Sequence, residues 1–100
     1  MAKGYAVILL DVRDVDRYVE YAKKATSVEA RYEGRAIVVG DAQEVVEGVW
    51  PSERIVILEF PSMEHARGWY NDPDYQAVIS LRHQATRSQI LFSEGSEDKS

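Results

Sequence analysis

The stretch that decides the fold is GYAVILLDVRDVDRYVEY, residues 4–21. Its first half, 4–12, is rich in β-branched and aromatic residues, which favour a β-strand. Asp14 can cap a helix after it, because an N-cap carboxylate accepts a hydrogen bond from a free first-turn amide. Apolar residues then recur at steps of three and four, which predicts a helix whose packed face carries Val15, Tyr18, Val19, Ala22, Ala25 and Thr26. We expect Gly34 to end this helix in a left-handed conformation.

The same patterns continue along the chain. Further strands are predicted at RAIVVG (35–40), EVVEGVW (44–50, a strand-like extension), RIVILEF (54–60) and RSQILFSEG (87–95). Ser62 can cap a second helix that Pro73 interrupts, and Asp72 then caps a new segment with Pro73 in its first turn. The order β-α-β-β-α-β is the ferredoxin-like plan, an α+β fold with an antiparallel sheet and two helices on one face.

Length and composition limit the domain organisation and the partners. A chain of 100 residues predicts one domain, 1–95, followed by a small charged tail, 96–100, that we expect to be disordered. The net charge is −5 with scattered basic residues, so nucleic acid is not an expected partner. The apolar run near the N-terminus is too short for a membrane span. There are no cysteines, which excludes disulfides and fits the cytoplasmic location that we expect.

Three predicted strands lack the alternation of apolar and polar residues that a sheet with one wet face shows. Uninterrupted apolar runs occupy 6–10, 36–39 and 55–58. Two helices cover one face only, so either the 44–50 extension covers the other face or a second copy of the chain does. We expect a twofold homodimer whose sheets pack face to face as a barrel. Alternation leaves open whether Val7 and Leu9 or Ala6, Ile8 and Leu10 face the partner.

Several quoted stretches resemble the domain-of-unknown-function 1330 family, within the dimeric α/β-barrel superfamily. They are GYAVILLDVRDVDRYVEY, EGVWPSERIVILEFPSMEHARGWYNDPDYQ and ILFSEG, which together run from about 4 to 95. The resemblance implies the fold and a dimer. Neighbouring families on this fold include cofactor-free monooxygenases of aromatic polyketides, muconolactone-type isomerases and haem-binding chlorite dismutases. A fold hosts many functions, so no catalytic residue carries over from them.

Metal and cofactor chemistry have little support in the sequence. His65 and His83 are the only histidines, and neither belongs to a His-x-x-x-His or similar ligand spacing. Motifs of serine hydrolases and phosphate-binding loops are missing as well. We therefore expect neither a metal site nor a cofactor.

The candidate catalytic residues are Glu59 and Arg54, at opposite ends of one predicted strand. Glu59 shares a pleat face with Ile55 and Ile57, whereas Arg54 lies on the other face. Two interpretations of Glu59 stay open. It is either satisfied by a backbone amide or a neighbouring arginine, or it is a proton acceptor whose pKa is raised by burial. Arg54 is a candidate for holding an anionic group.

The candidate ligand-binding residues are mostly aromatic: Tyr18, Trp50, Trp69, Tyr70 and Arg82. The rings either fill the core or line a polar cavity between sheet and helices, loosened where Pro73 breaks the helix. Two function classes follow. One is a cofactor-independent enzyme that acts on a small organic acid or aromatic compound. The other is a non-catalytic dimeric module that senses a ligand or binds a protein through structural aromatics.

Overall fold

The computed structural model describes residues 2–40 and 42–96. Its elements in chain order are β1 (Gly4–Val12), α1 (Val15–Arg31), β2 (Arg35–Gly40), β3 (Arg54–Phe60), α2 (Met63–Asn71), α3 (Pro73–Ala85) and β4 (Thr86–Glu94). The strands form one antiparallel sheet in the order β2-β3-β1-β4. The predicted order of elements is therefore confirmed, with the second helical stretch divided into α2 and α3. Of the tail predicted to be disordered, 97–100 lie outside the described residues.

The two faces of the sheet differ in what lies over them. Ala6, Ile8 and Leu10 are at most 6% exposed and pack in one core with the helices. We call their side the covered face. Val7 and Leu9 point to the opposite side, where no described helix packs, and they are only half-buried. We call that side the open face, and its apolar members are Val7, Leu9, Val38, Ile55, Ile57 and Leu91.

The helices begin where the sequence predicts. Each predicted N-cap side chain accepts a hydrogen bond from a first-turn amide, and the three caps are Asp14, Ser62 and Asp72. The predicted packed face of α1 is wrong in part, since Val15 and Val19 are 66% and 44% exposed. The buried stripe of α1 runs through Tyr21, Ala25 and Val28 instead, because α1 packs against α3 rather than flat on the sheet.

The end of α1 also differs from the prediction. Glu33, not Gly34, adopts the left-handed conformation, with φ 58°. The amides of Glu33 and Gly34 donate to the carbonyl oxygens of Ala30 and Glu29, which is the Schellman arrangement. Glycine at 34 serves close packing, because a Cβ there would lie 2.4 Å from a ring carbon of Phe60.

The extension before β3 is not a strand. Residues 42–53 form a loop without regular structure, so the predicted strand at 44–50 is wrong. β3 pairs with β1 along one edge and with β2 along the other, and residues 42–53 do not pair with the outer edge of β2 or of β4 either. The base of the loop is attached at one end of the open face. The Glu53 amide donates to Asp11 Oδ1 at 2.6 Å, and Arg87 Nη2 donates to the carbonyl oxygen of Pro51 at 3.4 Å.

Candidate functional site

A cavity of about 170 Å³ lies between α1 and the covered face of the sheet. Its floor is apolar and includes Ile8 and Leu58, and three exposed lining residues mark its mouth between α1 and β2: Thr26, Ala36 and Val39. Five lining residues carry polar or charged groups: Tyr18, Tyr21, Thr26, Glu29 and Arg82. The cavity thus combines an apolar interior with a few polar groups, which is typical of small-molecule sites.

Arg82 supplies the positive charge of this cavity. It belongs to α3 and is 5% exposed. Its Nη1 donates to Ser88 Oγ at 3.2 Å, while its buried Nε has no hydrogen-bond partner in the part of the chain that the structure describes. Arg82 forms no ion pair with a described carboxylate. A buried cation is costly without a counter-charge, so an anion in the cavity would be stabilised.

Glu29 contributes a carboxyl group from α1, across the cavity from Arg82. Burial raises the pKa of the Glu29 carboxyl to about 7. Glu29 and Arg82 line the same cavity without forming an ion pair with each other. A carboxyl group with a pKa near neutrality can both accept and return a proton under physiological conditions.

The tyrosines around the cavity divide into a pair and a single ring. The hydroxyl oxygens of Tyr21 and Tyr75 lie 2.7 Å apart, and burial raises the pKa of both hydroxyls. One of these two hydroxyls therefore donates a hydrogen bond to the other, and both stay neutral. Tyr18 lies at the edge, where the Arg54 guanidinium stands 5.9 Å from the ring centroid, within cation–π range. Arg54 accordingly flanks the cavity through Tyr18 without lining it.

The aromatic residues of α2 fill the core rather than the cavity. Trp69 is fully buried, with its ring centroid 4.3 Å from that of Tyr75 and 5.6 Å from that of Phe60. Tyr70 packs edge-on against Phe92 at 6.0 Å. The Trp69 Nε1 group is buried without a partner among the described residues. Of the two interpretations of these rings, core packing describes Trp69 and Tyr70.

Glu59 lies on the open face, so the sheet separates it from Arg82 and the cavity. It accepts hydrogen bonds from Arg35 Nη2 at 3.0 Å and from the Tyr5 hydroxyl at 3.1 Å, and Lys3 Nζ lies 3.5 Å away. The hydrogen bond from Arg35 lowers the pKa of Glu59 below its usual value. Of the two interpretations of Glu59, the structure therefore agrees with a carboxylate satisfied by an arginine of a neighbouring strand, and not with a pKa raised by burial.

Trp50 lies on the same side as Glu59. It belongs to the loop before β3, is 43% exposed and lies in a groove beside Ile55. The structure therefore brings together two of the predicted residues, Tyr18 and Arg82, with Arg54 at the edge. It leaves Trp50 and Glu59 on the far side of the sheet.

Sequence reasoning missed Glu29, although its position carried an indication. Tyr18, Ala22 and Ala25 line the cavity at helical steps, and Glu29 follows Ala25 at the next step of four. Glu29 therefore continues an inward-facing stripe of α1 by one turn. A carboxylate on such a stripe is a better indicator of a site than one at a strand end.

Residues 2–40 and 42–96 offer neither a metal-binding cluster nor a membrane-spanning helix. No group of three or more histidine, aspartate and glutamate side chains is arranged to hold a metal ion. None of the described helices has both the length and the hydropathy of a bilayer span.

The family model described as a domain of unknown function, DUF1330, matches residues 3–96. The chain belongs to the DUF1330 family. No curated protein matches it. The family assignment agrees with the resemblance found in the sequence, and it fixes the kind of fold without fixing an activity.

Solved structures show the same fold at low sequence identity. RPA0582, a protein of unknown function from Rhodopseudomonas palustris, is 18% identical with a TM-score of 0.77, over 97% of this chain and 85% of that one. SnoaB, a cofactor-independent oxygenase from Streptomyces nogalater, is 10% identical with a TM-score of 0.67, over 99% and 98%. A dimeric ferredoxin-like protein of unknown function from Thermobifida fusca is 9% identical with a TM-score of 0.58, over 92% and 90%. The ferredoxin-like α+β class is therefore confirmed.

Proposed function

We propose that each protomer binds a small organic or aromatic acid in the cavity under α1 and moves a proton on it without a cofactor. The observation that carries the proposal is Arg82, a buried cation with an unpartnered nitrogen that lines an apolar cavity and has no described carboxylate partner. A ligand carboxylate would supply the missing counter-charge and accept charge-assisted hydrogen bonds.

Cavity size and charge limit the ligand. The volume is about 170 Å³, and an engineered apolar cavity of about 150 Å³ accepts benzene. A ligand with one ring or a short branched chain fits such a space, whereas a fused polycycle does not. One unpaired guanidinium favours one negative charge, because a second carboxylate would be buried without a partner.

Glu29 would act as the acid–base group. With a pKa raised to about 7 by burial, it holds and releases a proton near neutral pH. Removal of a ligand proton by Glu29 and its return at another position balances without an oxidant or a reductant. Similarity in fold to SnoaB, a cofactor-independent oxygenase, is compatible with cofactor-free chemistry. The roles of Glu29 and Arg82 rest on this chain's own geometry.

The binding step can be tested by isothermal titration calorimetry with benzoate, its neutral analogue benzyl alcohol and the diacid phthalate. We expect benzoate to bind the wild type best, and Arg82→Met to weaken it at least tenfold. Arg54→Met is the matched control, since it removes an arginine that flanks the cavity without lining it. Equal benzoate affinity in the wild type and Arg82→Met would contradict the proposal, as would a failure of benzoate to bind at all.

The proton-transfer step separates the two function classes. The benzylic protons of phenylpyruvate, a one-ring monoacid whose C–H group beside the keto carbon can lose a proton, are followed by NMR in deuterated water with the wild type and Glu29→Gln. We expect exchange catalysed by the wild type, with ligand binding retained and exchange lost in Glu29→Gln. Binding without exchange in the wild type would favour the ligand-sensing module instead, so it would reject the enzymatic part of the proposal and leave the binding site standing.

The proposed working unit is a homodimer formed through the open faces, in the cytoplasm. Supporting it are the half-buried apolar residues of that face, such as Val7 and Ile57, and the similarity to a protein described as dimeric. Uncovered apolar patches of this kind are uncommon on monomers. Analytical ultracentrifugation tests the assembly, and a mass of one chain at micromolar concentration contradicts it.

A further inference from the structure

The loop before β3 exposes apolar side chains to a degree that one protomer does not explain. Val46 and Val49 are 90% and 97% exposed, and Val45 and Trp50 are 51% and 43% exposed. We call residues 42–53 the arm. An exposed apolar segment of this kind marks an interaction surface.

The arm is continuous with the open face. Its base is held by hydrogen bonds to Asp11 of β1 and Arg87 of β4. Both residues lie on the open face. A groove of about 420 Å³ lies between the arm and Ile55, which is itself an open-face residue. The apolar side chains of the arm and those of the sheet therefore form one surface, and a partner seated on the open face meets both.

We infer that the arm packs on a second copy of this chain, so that each protomer covers the margin of its partner's open face. This inference rests on the proposed homodimer. A twofold axis brings the same surface of both copies together, so an arm that borders one open face also borders the other. One contact thus removes two exposed apolar surfaces from water.

Charge favours the same occupant. The arm carries Glu44 and Glu47, both exposed. At the opposite end of the open face, two cations, Lys3 and Arg35, lie around the single carboxylate of Glu59. A twofold arrangement with antiparallel sheets brings the arm end of one copy beside the Lys3 and Arg35 end of the other. Complementary charges at such a margin fix the relative orientation of the two copies.

Trp50 is a natural reporter of this contact. The other tryptophan, Trp69, is fully buried and changes little on assembly. Acrylamide quenching of the wild type, corrected with Trp50→Phe, isolates the Trp50 emission. We expect Trp50 to be quenched several-fold more slowly in the dimer than in the Leu9→Lys variant, which removes the open-face contact. Equal quenching in the dimer and in this variant overturns the inference.

A pair of double variants tests the energetics. Val46→Ser with Val49→Ser removes apolar surface from the arm, and Val15→Ser with Val19→Ser removes exposed valines from α1 as a matched control. Sedimentation equilibrium should show a dimer Kd at least tenfold weaker for the arm variant and unchanged for the control. An unchanged dimer Kd in the arm variant contradicts the role of the arm, and so does an equal weakening of the dimer in the arm variant and in the control. Either result leaves the proposed homodimer standing. A wild type that sediments as one chain rejects the proposed homodimer itself, and the inference with it.

Discussion

Glu29 and Glu59 lie on opposite sides of one sheet, and their environments shift their pKa values in opposite directions. Burial raises the pKa of Glu29 to about 7, while the hydrogen bond from Arg35 lowers that of Glu59. On the covered face, Arg82 stands without a described carboxylate partner. On the open face, Arg35 and Lys3 already have one. The groups that the proposed proton transfer and anion binding require therefore lie under the helices, where their charges are unpaired.

The apolar residues of β1 also differ between the two faces, in how far they are buried. Ile8 is 6% exposed beneath the helices, whereas its neighbour Leu9 lies half-buried on the open face. Helices of the same chain pack over the covered face, whereas no described helix packs over the open face. Substitutions that distinguish the two faces should therefore separate folding from assembly.

The largest expected difference is between Ile8→Lys and Leu9→Lys. Lysine at position 8 would bury an unpaired charge in the core and cost about 4 kcal/mol or more, a large part of the ~5–15 kcal/mol that stabilises a domain. Leu9→Lys should keep the folded circular-dichroism spectrum and sediment as a monomer. Denaturant titration and sedimentation measure the two effects. The opposite pattern, with Leu9→Lys unfolding the chain, would invert our assignment of the faces.

Alanine substitutions at two glycines, one on each face, should show a smaller difference in stability between the covered face and the open face. A Cβ at Gly34 would lie 2.4 Å from a ring carbon of the fully buried Phe60, and one at Gly95 would lie 2.7 Å from a ring carbon of Tyr5 on the open face. We expect Gly34→Ala to lower the unfolding free energy by about 1–3 kcal/mol. Gly95→Ala should cost less, because the half-buried Tyr5 ring can turn away. Both are measured by denaturant titration in the Leu9→Lys background. Equal losses would show that the open face is as rigid as the core.

The helix layer that distinguishes the covered face depends on Asp72. Its side chain accepts hydrogen bonds from the Asp74 amide at 2.8 Å and from the Tyr32 hydroxyl at 2.7 Å, which joins the start of α3 to the end of α1. Asp72→Ala should lower stability by about 0.5–2 kcal/mol. Tyr32→Phe, which removes only the second hydrogen bond, should cost less. An unchanged denaturation midpoint in Asp72→Ala would show that this cap does not hold the layer.

The smallest effects lie in the pH dependence of stability. The folded pKa of Glu29 is raised, so its favourable contribution is complete below its unfolded pKa and is lost as pH rises from about 4 to 7. Glu59 has a lowered folded pKa, so its contribution is present above the unfolded pKa and is lost as pH falls through the folded one. Relative to the wild type, Glu29→Gln should gain stability on going to neutral pH, and Glu59→Gln should lose it. Chemical denaturation between about pH 4 and 7 measures the Glu29 effect, and its extension below about pH 4 measures that of Glu59, whose folded and unfolded pKa values lie at the acid end. Slopes of the same sign for the two variants would contradict the contrast.

Local sequence patterns predicted most of the fold. The bounds of β1, β2 and β3 and all three caps were predictable, because strand composition and capping act over a few neighbouring residues. The strand predicted at 44–50 was wrong because a strand needs a partner to pair with, and composition does not reveal whether pairing takes place. Likewise, glycine at position 34 leaves room for the ring of Phe60, which is distant in sequence, while Glu33 adopts the left-handed conformation.

The site was less predictable. Arg82 and Tyr18 were anticipated from helical spacing, whereas Glu29 was missed although it continues the same stripe of α1 by one turn. Glu59 was placed on the correct face, yet its pKa depends on Arg35, which pairing of β2 with β3 brings opposite it. These pKa values are determined by burial and by pairing across the sheet, which arise only when the chain has folded. Local sequence patterns therefore do not predict them.

The irregular pairing of β2 affects how the length of the chain can vary in evolution. Ala36 pairs with Leu58 and Val38 pairs with the adjacent Ile57, so Ile37 is an extra residue in the strand. Losing Ile37 would leave both halves of β2 in phase with β3. Losing one residue from the middle of β3 would instead move Glu59 and Phe60 each to the wrong face. We expect single-residue deletions to be tolerated at position 37 and eliminated in β3.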